Sequence, residues 1–180
     1  PSAMTAGVVG YGRIGRSAAQ LLGRLGFRVI AHDAHAPIGE GDVTSAALDE
    51  VLAASDVVTL HAPGQPDGHP LLDAGRLSLL KPGSVLVNTA RGSHIDERAL
   101  AQSMRQGRPG MAALDVFATE PPDLSAFAGV GERLILTPHM AWYTEESQAD
   151  LRYKAAAEAA RLLRGERPRD LVVEPEVQSR

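Results

Sequence analysis

Three side chains able to grip a carboxylate or move a proton stand far apart in the chain: Arg91, Glu120 and His139. Each follows a short apolar run by a few residues. The three segments are Asn88-Thr89-Ala90-Arg91-Gly92, Asp115-Val116-Phe117-Ala118-Thr119-Glu120-Pro121-Pro122 and Thr137-Pro138-His139-Met140-Ala141-Trp142. A histidine gives or takes a proton near neutral pH. A carboxylate beside it favours the imidazolium. An arginine binds a carboxylate through two parallel hydrogen bonds and polarises a carbonyl, where lysine is a poorer fork. The trio suits hydride chemistry on a 2-oxo acid, whose new alkoxide needs a proton. Each residue also has a plainer reading: a surface ion pair for Arg91, loop polarity for Glu120, a satisfied loop histidine for His139.

A second constellation handles phosphate. Gly10-Tyr11-Gly12-Arg13-Ile14-Gly15 matches G-x-G-x-x-G, between a predicted strand and a predicted helix. Gly10 makes the tight turn, Gly12 lets backbone approach a pyrophosphate, and Gly15 lets the helix pack closely. The helix N-terminus then offers N–H groups and a positive dipole end. Asp33 ends the next strand and can accept both hydroxyls of an adenosine ribose. It would repel a 2′-phosphate, and no Arg or Lys stands at Ala34, His35 or Ala36, so NAD is favoured over NADP. A loop-capping role for Asp33 is the alternative.

The elements that must position these groups follow from periodicity and turn residues. Strands are expected at residues 6–9, 27–31, 56–60, 85–88, 111–116 and 134–137. Helices are expected at 13–25, 45–54, 73–80, 96–106 and for about 20 residues after Thr144, which caps the last one. The first helix carries Ile14, Ala18, Leu21, Leu22 and Leu25 on one face. Residues 37–42 read as a loop, 1–4 as a ragged start, and 166–180 as an aperiodic tail. Six apolar strands alternating with helices predict an α/β fold: a doubly wound, three-layer parallel sheet of Rossmann type. In such sheets ligands gather beyond the carboxyl ends of the strands, where all the segments above lie. The expected organisation is a single dinucleotide-binding domain over 1–180, its core at 5–140 and its C-terminal helix and tail at 144–180.

Composition narrows the rest. The chain has 180 residues and a net charge of -4, which argues against nucleic-acid binding by bulk charge. It has no cysteine, excluding disulfides, iron–sulfur sites, thiolate zinc and a thiol nucleophile. No apolar run is long enough for a membrane span and no secretory signal is evident, so cytoplasm is the expected compartment. No metal is expected: His32 and His35 lack a further ligand. His69 and His94 are expected to face solvent.

In order and spacing, the glycine motif, Asn88-Thr89-Ala90-Arg91-Gly92, Asp115-Val116-Phe117 with Glu120-Pro121, and Thr137-Pro138-His139 resemble the D-isomer-specific 2-hydroxyacid dehydrogenases. The likeness runs over about residues 5–174. His139-Met140-Ala141-Trp142-Tyr143-Thr144-Glu145 is further similar to the branch that includes the C-terminal-binding-protein corepressors. The resemblance implies that Arg91 binds substrate as the catalytic arginine, Glu120 is the partner of His139, and His139 is the proton donor. It implies Arg13 and Ile14 at the pyrophosphate with the glycines, Asp33 at the ribose, and His61 and Pro63 flanking the cofactor. Thr89, Ala90, Arg91 and Asp115 would line the nicotinamide end, Asp115 near the carboxamide, and Trp142 would border the substrate pocket.

The expectation is therefore an NAD-binding domain of an enzyme interconverting D-2-hydroxy and 2-oxo acids. The N-terminal substrate domain, which in the family precedes the phosphate loop, is absent, so the fragment is expected to bind NAD(H) but react poorly. Expected partners are a small 2-oxo or 2-hydroxy acid, that missing domain, and a second copy in a homodimer. The alternative is an NAD(H)-sensing, corepressor-like interaction module. Formate oxidation is disfavoured, because formate dehydrogenases carry an amide where Glu120 stands; phosphite oxidation stays open.

Overall fold

Short β-branched and aliphatic runs between capped helices produce seven parallel strands in the computed structural model, which describes residues 2–39, 41–64 and 68–169. The strands are β1 (Thr5–Val9), β2 (Arg28–His32), β3 (Val43–Ser45), β4 (Val57–Leu60), β5 (Val85–Asn88), β6 (Met111–Leu114) and β7 (Leu134–Leu136). The helices are α1 (Arg13–Arg24), α2 (Leu48–Ala54), α3 (Ala74–Leu79), α4 (Glu97–Arg105) and α5 (Glu145–Leu163). The sheet order is β3-β2-β1-β4-β5-β6-β7, every pairing parallel. The chain thus builds outward from β1 in one direction, then reverses at β4. That reversal opens a crevice beyond the ends of β1 and β4.

Alternate residues of β1 face opposite layers. Val8 packs with Ala19 of α1, while Val9 joins the core of α2, α3 and α4. Gly7 faces α2 so closely that a Cβ would meet Val51 and the Ser55 hydroxyl. The result is the expected three-layer α/β fold. The larger core lies on the second face, with Leu52, Leu77, Leu86, Leu100 and Met104 fully buried. Truncating one of these leucines to alanine would cost about 2–5 kcal/mol.

Three sequence expectations need correction. A seventh strand, β3, lies beside the predicted loop and takes the first residue assigned to the second helix. It is a three-residue edge strand, too short for a period to register. The second helix begins only at Leu48, where the Glu50 carboxylate accepts from the Ala47 N–H at 3.0 Å. The packed face of α1 is Gly15, Ala19 and Leu22, whereas Ile14, Leu21 and Leu25 are 71, 58 and 64% exposed. The reason is close approach: a Cβ on Gly15 would lie 1.9 Å from the Gly10 carbonyl oxygen. Small residues must face the loop and sheet, which turns the larger aliphatics about a quarter-turn away.

The chain divides into two compact units, Pro1–Ala141 and Trp142–Arg180. The first contains the whole sheet. The second contains α5, whose N-terminus is closed reciprocally: the Ser147 N–H donates to Thr144 Oγ1 at 3.0 Å and the Thr144 N–H to Ser147 Oγ at 2.8 Å. Glu145 and Glu146 stand in its first turn, where the dipole favours them. Of the tail expected to be aperiodic, residues 170–180 lie outside the described residues.

Candidate active site

At the end of β1 the chain turns through Gly10, whose φ is +91°. A Cβ there would lie 2.4 Å from the Ala62 nitrogen and 2.5 Å from the His61 carbonyl carbon, so the turn is pressed against the segment following β4. Gly12, the residue before α1, is different: a Cβ would meet nothing within 4 Å. Open space therefore lies over the helix N-terminus, whose first-turn N–H groups have no intrahelical acceptor. Arg13 and Ile14 are exposed there. An open, glycine-floored, electropositive turn fits a pyrophosphate.

Asp33 joins this loop to the end of β2. Its carboxylate accepts the N–H groups of Tyr11 at 2.6 Å, His35 at 2.8 Å and Ala36 at 2.7 Å. Burial pushes its pKa up, but these bonds outweigh burial and hold it below the usual carboxylate range. The capping role foreseen as an alternative is thus present. A carboxylate has about four acceptor positions, so capacity for a further donor remains. Asp33 lines a cleft of ≈ 140 Å³ with Gly10, His32, Ala62 and Pro63. His61, the residue before Ala62, has its Nε2 3.0 Å from Thr59 Oγ1, and burial holds its pKa down.

The loops after β5, β6 and β7 form the other end. Asn88 is buried and organises the first: its Oδ1 accepts the Ala90 N–H at 3.0 Å and its amide donates to the Arg91 carbonyl at 2.9 Å. Thr89 and Arg91 stand exposed, Ala90 partly so. The Arg91 guanidinium donates to the Ala90 carbonyl at 2.6 Å. Gly92 sits against the loop after β6, where a Cβ would fall 1.9 Å from the Phe117 carbonyl carbon. The absence of a side chain at 92 therefore lets the Arg91 and Glu120 loops meet.

His139 and Glu120 are brought together, with Nδ1 3.0 Å from Oε2. The bond from His139 and a second from the Phe117 N–H, at 3.2 Å, hold the Glu120 pKa below its usual value. An ionised carboxylate only accepts, so Nδ1 carries the proton of this bond. His139 has φ +52°, the left-handed region. Asp115 holds it there. The Asp115 carbonyl accepts the His139 N–H at 2.9 Å, and its carboxylate accepts Thr137 Oγ1 at 2.5 Å, Met140 N at 2.8 Å and Ala141 N at 2.9 Å. Burial raises the Asp115 pKa, but the Thr137 hydroxyl and the two N–H groups outweigh it and the net shift is downward. An apolar hollow of ≈ 350 Å³ opens beside the pair, lined by Phe117, Pro122, Leu136 and Pro138.

Trp142, expected at the substrate pocket, opens the second unit, where its ring meets Tyr143 edge-on at 5.5 Å. His94, expected to face solvent, is fully buried instead, with Nε2 2.9 Å from the Ala62 carbonyl. Its burial depends on a segment 32 residues earlier, so the local sequence gave no sign of it. The anchoring tasks of Asn88, Gly92 and Asp115 were likewise unread, although a glycine directly after a candidate catalytic arginine is a signal of close backbone approach. Among the described residues no His, Asp and Glu cluster of three or more could hold a metal ion. Among them, too, no helix is long and apolar enough to cross a membrane.

A family model described as D-isomer specific 2-hydroxyacid dehydrogenase, NAD binding domain, matches residues 1–141. The D-lactate dehydrogenase of Treponema pallidum is 36% identical over 174 residues, covering 89% of this chain and 53% of the relative. The (S)-sulfolactate dehydrogenase of Chromohalobacter salexigens is 42% identical over 147 residues, covering 79% of this chain and 48% of the relative. A solved structure of the NAD-complexed D-isomer specific 2-hydroxyacid dehydrogenase from Lactobacillus delbrueckii ssp. bulgaricus matches with a TM-score of 0.84 at 30% identity, covering 96% of this chain and 57% of that one. The chain spans about half the length of the curated relatives it matches.

Proposed function

The chain belongs to the D-isomer-specific 2-hydroxyacid dehydrogenase family, as its NAD-binding domain, and from that premise we propose that the protein interconverts a 2-oxo acid and a D-2-hydroxy acid with NAD(H). The observation that carries this reading is the Glu120–His139 pair, 3.0 Å apart in the loops that follow β6 and β7, beyond the carboxyl ends of the same parallel strands as the phosphate loop. When bound, NAD(H) supplies the hydride for reduction or takes it in oxidation. The first-turn N–H groups of α1, with Gly10, Gly12, Gly15, Arg13 and Ile14, hold the pyrophosphate. Asp33 holds the adenosine ribose, and its negative charge disfavours a 2′-phosphate. His61 and Pro63 flank the dinucleotide. Thr89, Ala90 and Asp115 border its nicotinamide end.

The reacting acid is held by Arg91, whose fork matches a carboxylate and polarises the adjacent carbonyl. With Nδ1–H committed to Glu120, Nε2 of His139 is the atom that exchanges a proton with the substrate oxygen. Glu120 fixes the tautomer and the orientation of the ring. The relatives named above are called after lactate and sulfolactate, both 2-hydroxy acids, which supports the same class here. The pair is open to water, with side chains 50% and 41% exposed. Catalysis of this kind gains from water exclusion. The 180-residue chain alone is therefore expected to bind NADH and to turn over slowly.

The test is a calorimetric titration with NADH and NADPH, followed by NADH oxidation assays with pyruvate and glyoxylate. Saturable binding of NADH, weaker for NADPH, supports the cofactor assignment, and failure to bind either nucleotide sinks it. Fast NADH consumption by the chain alone would overturn the slow-turnover expectation.

A further inference from the structure

His94 is fully buried, and among the described residues its Nδ1 has no hydrogen-bond partner. Its Nε2 faces the Ala62 carbonyl at 2.9 Å. A carbonyl only accepts, so Nε2 carries the hydrogen of this bond, and Nδ1 is left without a partner among the described residues. Such a group works against stability, and an aliphatic side chain of similar size would avoid the cost. What the imidazole holds gives it a purpose. The segment it grips is the one on which the phosphate loop rests: a Cβ on Gly10 would lie 2.4 Å from the Ala62 nitrogen. The His61 N–H fixes the same segment to the Val9 carbonyl at 2.7 Å. From its own backbone His94 reaches the Arg91 loop, donating its N–H to the Arg91 carbonyl at 3.2 Å. That carbonyl also accepts the Asn88 amide at 2.9 Å.

We propose that His94 is a positioning residue that ties the wall of the dinucleotide cleft at Ala62–Pro63 to the Arg91 loop, so that cofactor binding orders the substrate-binding arginine. This rests on the NAD(H)-binding reading above. The imidazole touches neither cofactor nor substrate. It acts by fixing Ala62, whose preceding peptide is pressed by the phosphate loop and whose carbonyl is held by the imidazole that follows the Arg91 loop.

The experiment uses the 180-residue chain and two variants, His94→Leu and His94→Gln. Leucine keeps the bulk and removes the donor; glutamine places an amide N–H at similar reach. NADH affinity is measured by calorimetry, unfolding by thermal melt, and amide hydrogen exchange at residues 91–94 with and without NADH. His94→Leu is expected to weaken NADH binding about tenfold, with His94→Gln recovering to within about threefold of the parent. The melting temperature of the leucine variant should stay close to the parent's, because losing the Nε2 bond and removing the stranded Nδ1 act in opposite directions. NADH should slow exchange at 91–94 in the parent and in His94→Gln but not in His94→Leu. Parent-like NADH affinity in His94→Leu, or equal weakening in both variants, would overturn the proposal. If His94→Leu does not fold, His94→Gln decides alone: parent-like affinity and slowed exchange are expected, and their loss overturns it. Absence of NADH binding by the parent would instead bring down the NAD(H)-binding reading itself.

Discussion

At the β1 end of the sheet the groups that would meet a ligand are mostly backbone, whereas at the β5–β7 end they are side chains. The phosphate loop is formed by contacts that exclude side chains: Gly15 against the Gly10 carbonyl, and Gly10 against Ala62. Its shape is set by sterics and its charge by the helix terminus. The other end needs Arg91, Glu120 and His139, long or strained groups that cannot hold themselves in place. Each is anchored by another polar group: Asn88 under Arg91, the Phe117 N–H on Glu120, Asp115 under His139. A backbone site tolerates almost no added atom, while a side-chain site depends on anchors that never touch the ligand.

Breaking the contrast begins with the glycines. Gly15→Ala would put a methyl 1.9 Å from the Gly10 carbonyl oxygen. It is expected to cost at least about 3 kcal/mol in urea unfolding and to abolish NADH binding. A variant that folds and binds normally would mean that the loop can yield, and the contrast would fail. Next is Asp115→Ala, which strands three donors on the residues flanking the left-handed His139. A loss of about 3 kcal/mol is expected, with faster hydrogen exchange at 137–141. Asp33→Ala tests the one side chain on which the backbone end relies: NADH affinity should drop about tenfold and the preference over NADPH should narrow.

Acid sharpens the comparison further. Asp115 has a depressed folded pKa, so its stabilising contribution is present above its ordinary pKa and is lost as pH falls through the lower folded value. Protection at 137–141 should therefore survive at pH about 4 and disappear only in stronger acid. Loss already at mildly acidic pH would show that another group holds the loop. The smallest effect is expected from Glu120→Gln. The pair is half exposed, so thermal stability should not change. A clear drop would make Glu120 a structural anchor and blur the distinction between the groups that react and the groups that hold them.

The same contrast explains what could be read from sequence. Gly10 and Gly15 are legible because a backbone requirement at fixed spacing leaves only glycine possible, and Gly12 because a pyrophosphate over the helix N-terminus needs the space a side chain would fill. Arg91, Glu120 and His139 are legible as chemical types after apolar runs, and the structure pairs the last two. The strand order was not legible beyond its class, since pairing is a long-range choice among similar apolar runs. β3 escaped because three edge residues carry no period. The face of α1 was misread because close approach selects small residues, and a pattern of large aliphatics then points away from the sheet. His94 escaped because its partner is Ala62, which nothing in the local pattern of residues 91–96 announces.

The outward stripe of Ile14, Leu21 and Leu25 also bears on how the chain behaves in solution. Mutual repulsion keeps proteins dispersed only while they carry net charge. This chain carries -4 at pH 7, with a sequence pI of about 5.9. Near the pI the repulsion vanishes while the aliphatic stripe stays wet. Mildly acidic, high-salt solutions should therefore be where the chain is least soluble, and replacing Leu21 with Lys should raise its solubility there.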